Sequence, residues 1–117
     1  MATDNYKEQR PWGAFENLLD ADYCKVKEIV IKPGQAPSYQ YHFKRSEVWV
    51  VVKGEGELKL DGEITPVKVG SILNIPVQAK HQIRNTSDQD LVFIEVQLGE
   101  YFGEDDIVRL EDSYGRV

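Results

Sequence analysis

Apolar and polar residues alternate along most of this chain in short runs, each broken by turn-forming residues. Residues 23–32 carry Val26, Ile29, Val30 and Ile31 and stop at Pro33-Gly34, a turn dipeptide. Residues 47–53 hold four valines and Trp49 and end at Gly54, the β-branched and aromatic content that suits a pleated strand. Residues 57–60 and 63–68 flank Asp61-Gly62, a strong signal for a two-residue hairpin. Residues 71–75 follow Gly70 and stop at Pro76, residues 80–85 make a short run, and residues 90–98 make the last clear one. Helical periodicity is absent through all of these segments. Short strands spaced about every 8–12 residues predict an all-β sandwich or barrel.

The two ends follow different patterns. Trp12, Phe15, Leu18 and Leu19 make residues 1–22 too apolar to float free. They are expected to pack as an arm on a barrel of residues 23–98, or on a second subunit. In the tail, residues 99–117, Glu104, Asp105 and Asp106 precede Ile107-Val108. A single helical turn with acids at its positive end is expected there.

At 117 residues the chain has room for one domain and one core. Its net charge of −6 argues against nucleic acid as a partner. A small anionic ligand stays open, because a local cluster of Lys and Arg can outweigh the global sign. The single cysteine, Cys24, cannot form an internal disulfide and reads as a small buried hydrophobe. The first ten residues carry no apolar signal region, and no apolar run nears the roughly 18 residues of a membrane span. A cytoplasmic location away from membranes is expected.

The informative chemistry lies between Gly34 and Gly54. Gln40 and His42 fall on one face of a strand, and Glu47 opens the next strand on the face shared with Trp49 and Val51. Further on, Gly70, Pro76, His81 and Asn85 repeat the logic of turn, strand, proline and inward imidazole. A lone histidine in a strand is usually structural, but this chain has only two, and both fall in one ligand pattern. A carboxylate at the start of an apolar strand is costly without a partner, and a cation removes that cost. Gln40, His42, Glu47 and His81 are therefore the expected ligands of a divalent ion, with Zn²⁺ first and Mn²⁺, Fe²⁺, Ni²⁺ or Co²⁺ also suited.

At these residues the chain resembles the cupin superfamily, with Gln40 where that family's first histidine usually stands. Within it, the chain is similar to the type II phosphomannose isomerases. The likeness rests on Arg10-Pro11-Trp12-Gly13, Gln40-Tyr41-His42, Arg45-Ser46-Glu47, His81, Ile94-Glu95-Val96-Gln97 and the tail from Gly103 through Arg109 to Arg116. The resemblance implies a double-stranded β-helix, a jelly-roll-like barrel. It also implies a metal-dependent isomerase that interconverts mannose 6-phosphate and fructose 6-phosphate. Lys44 or a tail carboxylate, Asp105 or Asp106, would then be the base. Arg45, with Lys44 next, would contact the phosphate of a sugar phosphate. Arg109 and Arg116 read as structural partners of the acidic tail.

Three positions depart from the family pattern. Histidines are usual where Lys44 and Val48 stand, and an arginine where Gln82 stands. Strand parity puts residue 44 on the side of His42, and Val48 and Gln82 facing outward. A non-catalytic sugar-phosphate or nucleotide-sugar binder, or a cupin enzyme of different chemistry such as a dioxygenase, are the competing readings. No glycine-rich phosphate loop occurs in these residues, so GDP-mannose synthesis is not expected of them. The valines on both faces of 47–53 predict a homodimer, unless an N-terminal strand of the same chain covers the outer face.

Overall fold

Strands β1 (Lys7–Arg10), β2 (Gly13–Asp20) and β3 (Cys24–Ile31) form a meander at the start of the chain. After them come β4 (Tyr39–Tyr41), β5 (Arg45–Lys53), β6 (Glu55–Leu60), β7 (Glu63–Lys68), β8 (Ile72–Ile75), β9 (His81–Asn85), β10 (Leu91–Gly99) and β11 (Val108–Glu111). The computed structural model describes residues 5–103 and 105–111, and among these there is no helix. One sheet runs β1-β2-β3-β10-β5-β8 and the other β11-β4-β9-β6-β7. Every pairing is antiparallel, and the two sheets enclose a common interior.

The predicted strands are present within a residue or two of their expected ends. The hairpin turns on Asp61 and Gly62, with φ of 47° and 87°, the pair of positive values that a type I′ turn requires. Gly54 is needed between β5 and β6 for a second reason besides its φ of 81°: a Cβ there would lie 2.4 Å from the Asp90 carbonyl oxygen.

The N-terminal residues, expected as an arm packed on the barrel or on a second subunit, form β1 and β2, which extend the six-stranded sheet beside β3. One expectation changes: the tail does not start a helical turn. Asp106 N donates to Gly103 O in a turn, and β11 then pairs with β4. Glu104 and Arg116, which figured in the readings of the tail, lie outside the described residues.

Facing strands grade the interior from dry to polar. Inward positions of β10 run Leu91, Phe93, Glu95, Gln97, and those of β5 run Val51, Trp49, Glu47, Arg45. The register sets Phe93 beside Val51, Glu95 beside Trp49 and Gln97 beside Glu47. The apolar end joins Ile31, Leu58, Val67 and Ile83 in the core cluster. Each large side chain buried there contributes about 1.5–3 kcal/mol of transfer free energy. That contribution offsets the cost of burying the polar groups at the other end.

Candidate metal centre

His42, Glu47 and His81 converge at the polar end, their ligand atoms all within 4.8 Å of one another and all three side chains buried. They reach it from three places: the turn after β4, the start of β5 and the start of β9. Glu47 is held on both oxygens, by Trp49 Nε1 at 2.8 Å and by Arg45 Nε at 2.8 Å. His81 packs edge-on to Trp49, which stacks on Phe93, so the apolar core supports one wall of the site.

Each imidazole is oriented by a backbone carbonyl. His42 Nδ1 lies 2.7 Å from Asp106 O, and His81 Nδ1 lies 2.9 Å from Ala79 O. A carbonyl only accepts, so both Nδ1 atoms carry the hydrogen and both Nε2 atoms present a lone pair. Burial, then the Arg45 charge, lowers the His42 pKa from 6.5 to about 4. Burial also lowers that of His81. Both rings are therefore neutral near pH 7.

These donors suit a divalent cation. His81 Nε2 is buried and has no hydrogen-bond partner among the described residues. His42 Nε2 lies 3.5 Å from Glu47 Oε2, a lone pair facing a carboxylate, with the Arg45 guanidinium supplying positive charge beside both. Backbone carbonyls on the distal ring nitrogens are the usual outer support of histidine ligands. Gln40 lines the same cavity, and its Oε1 accepts from Ser38 Oγ at 3.2 Å.

The cavity around this centre has a volume of about 100 Å³. Drug-sized ligand pockets run roughly 300–1,000 Å³, so this one takes an ion and the end of a small molecule. Its walls include Lys27 and Glu95, and its partly exposed rim includes Arg10, Gln82, Ile107 and Arg109. Glu95 accepts from Gln97 Nε2 at 2.7 Å. Burial, then repulsion from Glu47, pushes its pKa from 4.5 up to about 7.

The structure brings Gln40, His42, Glu47, His81 and Arg45 to one cavity and leaves Lys44 out of it. Lys44 is exposed, and its Nζ lies 5.1 Å from the centre of the Tyr101 ring. Parity does not carry across residues 42–44, because they form the turn between β4 and β5 rather than a continued strand. Arg45, expected to contact a phosphate, is instead buried against Glu47. Val48 faces outward as expected, and Gln82 Nε2 donates to Pro37 O at the rim. Lys27 and Glu95 were not identified from the sequence. For Glu95 the signal was available in β10, where Glu95 and Gln97 share one parity while Ile94, Val96 and Leu98 take the other.

A family model described as mannose-6-phosphate isomerase C-terminal matches residues 2–112. The chain belongs to this family. Its fold is the cupin double-stranded β-helix. Among solved structures, the capsular polysaccharide assembling protein CapF from Staphylococcus aureus superposes with a TM-score of 0.78 at 26% identity, over 94% of this chain and 35% of that one. A Streptomyces PAC13 variant with uridine gives a TM-score of 0.79 at 14% identity, over 93% and 87%, a likeness of fold alone.

Curated relatives of this cupin are larger proteins. The xanthan biosynthesis protein XanB of Xanthomonas campestris pv. campestris (strain B100) is 42% identical over 116 residues, covering 99% of this chain and 25% of the relative. The mannose-1-phosphate guanylyltransferase of Escherichia coli (strain K12) is 42% identical over 108 residues, covering 92% and 23%. The alginate biosynthesis protein AlgA of Pseudomonas putida (strain KT2440) is 41% identical over 116 residues, covering 98% and 24%. The chain thus spans about a quarter of the length of these relatives.

This corrects the assignment of mannose 6-phosphate isomerisation. The relatives are named for guanylyl transfer or polysaccharide biosynthesis, and the chain matches only one part of them. The two residues given the chemistry are also placed otherwise, Lys44 outside the cavity and Arg45 in an internal ion pair. What stands is an enzyme-like cupin with a His/Glu/His cluster suited to a divalent metal. Among the described residues no helix is long and apolar enough to cross a membrane.

Proposed function

We propose that this chain is a metal-dependent cupin domain that binds the end of an anionic, hydroxylated small molecule, a sugar phosphate by class. One observation carries this reading: neutral imidazole lone pairs and a carboxylate converge inside a small cavity whose wall and rim carry Lys27, Arg10 and Arg109. Arg109 Nε is buried and has no hydrogen-bond partner among the described residues, which favours an anion at the rim. The net charge of −6 does not oppose this, because Arg10, Lys27, Arg45 and Arg109 all line the cavity.

His42, Glu47 and His81 would hold the ion, with Gln40 as fourth ligand and Zn²⁺ as the first candidate. A bound divalent ion supplies Lewis acidity toward a ligand oxygen. Lys27 and Arg109 would orient the anionic ligand. Glu95, with its proton held to about pH 7, would exchange a proton with the bound molecule. A cytoplasmic location goes with this reading.

The test is calorimetry on protein first assayed for metal. About one equivalent of divalent ion per chain is expected, lost on His81→Ala. Mannose 6-phosphate should bind the loaded protein and not the stripped one, and Arg109→Met should weaken it at least tenfold, about 1.4 kcal/mol. Loaded protein that binds neither this nor another hexose phosphate would overturn the reading.

A further inference from the structure

Arg45 opens β5 with its side chain turned inward and 4% exposed. Its Nε donates to Glu47 Oε2 at 2.8 Å, and its Nη2 lies 3.2 Å from His42 Nε2. A guanidinium has donors only and stays charged, so Nη2 donates to the imidazole. His42 Nδ1 already carries its hydrogen toward Asp106 O. Its Nε2 therefore has one in-plane lone pair, and Arg45 uses it.

A divalent ion would need that same lone pair, at a bond length of about 2.0–2.1 Å. One lone pair cannot serve both. Glu47 is under no such restriction, since a carboxylate offers several acceptor sites and can keep Arg45 while binding an ion. The conflict is confined to His42.

We propose that Arg45 is an internal cation that competes with the divalent metal for His42. Metal entry requires Nη2 to leave the imidazole, so Arg45 weakens the centre's affinity and holds His42 and Glu47 together when no ion is bound. This rests on the metal-centre reading above. Charge points the same way: before metal binding Arg45 and Lys27 face Glu47 and a Glu95 that holds its proton to about pH 7, and a divalent ion would add two positive charges beside them in a buried place. The opposite role, a support that orients Glu47 for the loaded centre, makes the reverse prediction, because removing a support lowers affinity.

The experiment compares metal-stripped wild type, Arg45→Met and Arg45→Lys. Each is titrated with Zn²⁺ and Co²⁺ against a chelator of known affinity, and its thermal midpoint without metal is recorded. Methionine keeps the length of the arm without charge or donors, whereas lysine keeps the charge but cannot bridge two acceptors with a planar fork. Arg45→Met should bind metal at least tenfold more tightly than wild type, the size of one charge-assisted hydrogen bond. Its midpoint without metal should fall, and Arg45→Lys should lie between the two. Equal or weaker affinity in Arg45→Met overturns the competition. Should that variant not fold when stripped, Arg45→Lys decides by the same criterion. Absence of metal binding in wild type and variants alike would remove the metal-centre reading itself, and this inference with it.

Discussion

Glu95 and His42 face one cavity, and burial drives their protonation in directions that oppose each other in folding. Glu95 keeps its proton to about pH 7 in the folded chain against an ordinary value of 4.5. Between those values the unfolded chain has released a proton that the folded chain still holds, so stability falls as pH rises. His42 titrates at about 4 when folded against 6.5 ordinarily. Between those values the unfolded chain holds the extra proton, so stability rises with pH, and the lowered His81 adds to the same slope. Each shift is on the order of 3 kcal/mol, and the two largely cancel from pH 4.5 to 6.5. Glu95→Gln keeps an acceptor for Gln97 and removes one slope. Its unfolding free energy, read by urea titration of metal-stripped protein, should climb more steeply than that of wild type across that window, by about 3 kcal/mol. A variant with the same slope as wild type would show that Glu95 does not hold this proton. The cluster of His42, Glu47 and His81 was legible because the chain has only two histidines and both fit one spacing. Glu95 and Arg45 were not, because their chemistry depends on which charges face them across the barrel, and periodicity records parity without partners.

Strands were legible where turn chemistry is local, and misread where a long-range partner decides. Asp61-Gly62 specifies its hairpin from two residues, and that turn also holds the approach to His81: Asp61 N donates to Lys80 O at 2.7 Å, and Lys80 N donates to Asp61 Oδ1 at 2.9 Å. The acidic tail looked like a helix start because acids favour that position. Asp106 instead accepts from the backbone N–H groups of Phe43 and Lys44, at 3.1 and 2.9 Å, while its carbonyl receives His42 Nδ1. More than sixty residues separate these partners, so nothing local could show the pairing. The tail thus supports the candidate metal centre. Asp106→Ala should cost about 1.5–3 kcal/mol of stability, the range for hydrogen bonds to a charged group, and should reduce metal affinity at least tenfold as the turn carrying His42 loosens. Asp106→Asn, which keeps one acceptor oxygen, should lose less. Metal affinity unchanged in Asp106→Ala, measured by chelator competition, would separate the tail from the site.

The outer face of the six-stranded sheet sets the last expectation. Val26 of β3, Val96 of β10 and Val48 of β5 form one row across it by register, and Ile94, Val50 and Ile72 form another. Most are half-buried by their neighbours, but Ile72 is 65% exposed. The alternative cover, an N-terminal strand folded over this face, is not what β1 and β2 do. They lie at the sheet's edge beside β3 and lengthen it instead of crossing the central rows. We propose that a second copy of the chain covers these rows. A stable interface of ordinary size needs about 800 Å² from each partner, and self-pairing of one sheet face about a two-fold axis matches like with like. Light scattering at micromolar concentration should return twice the 13.4 kDa chain mass. Ile94→Lys puts a charge at the centre of the patch and, having the outward parity in β10, leaves the cavity untouched. It should give the monomer mass with metal content unchanged. A wild type that scatters as a monomer would show that the face stands open, and a variant that loses metal along with its partner would show that the two sides of the sheet are coupled.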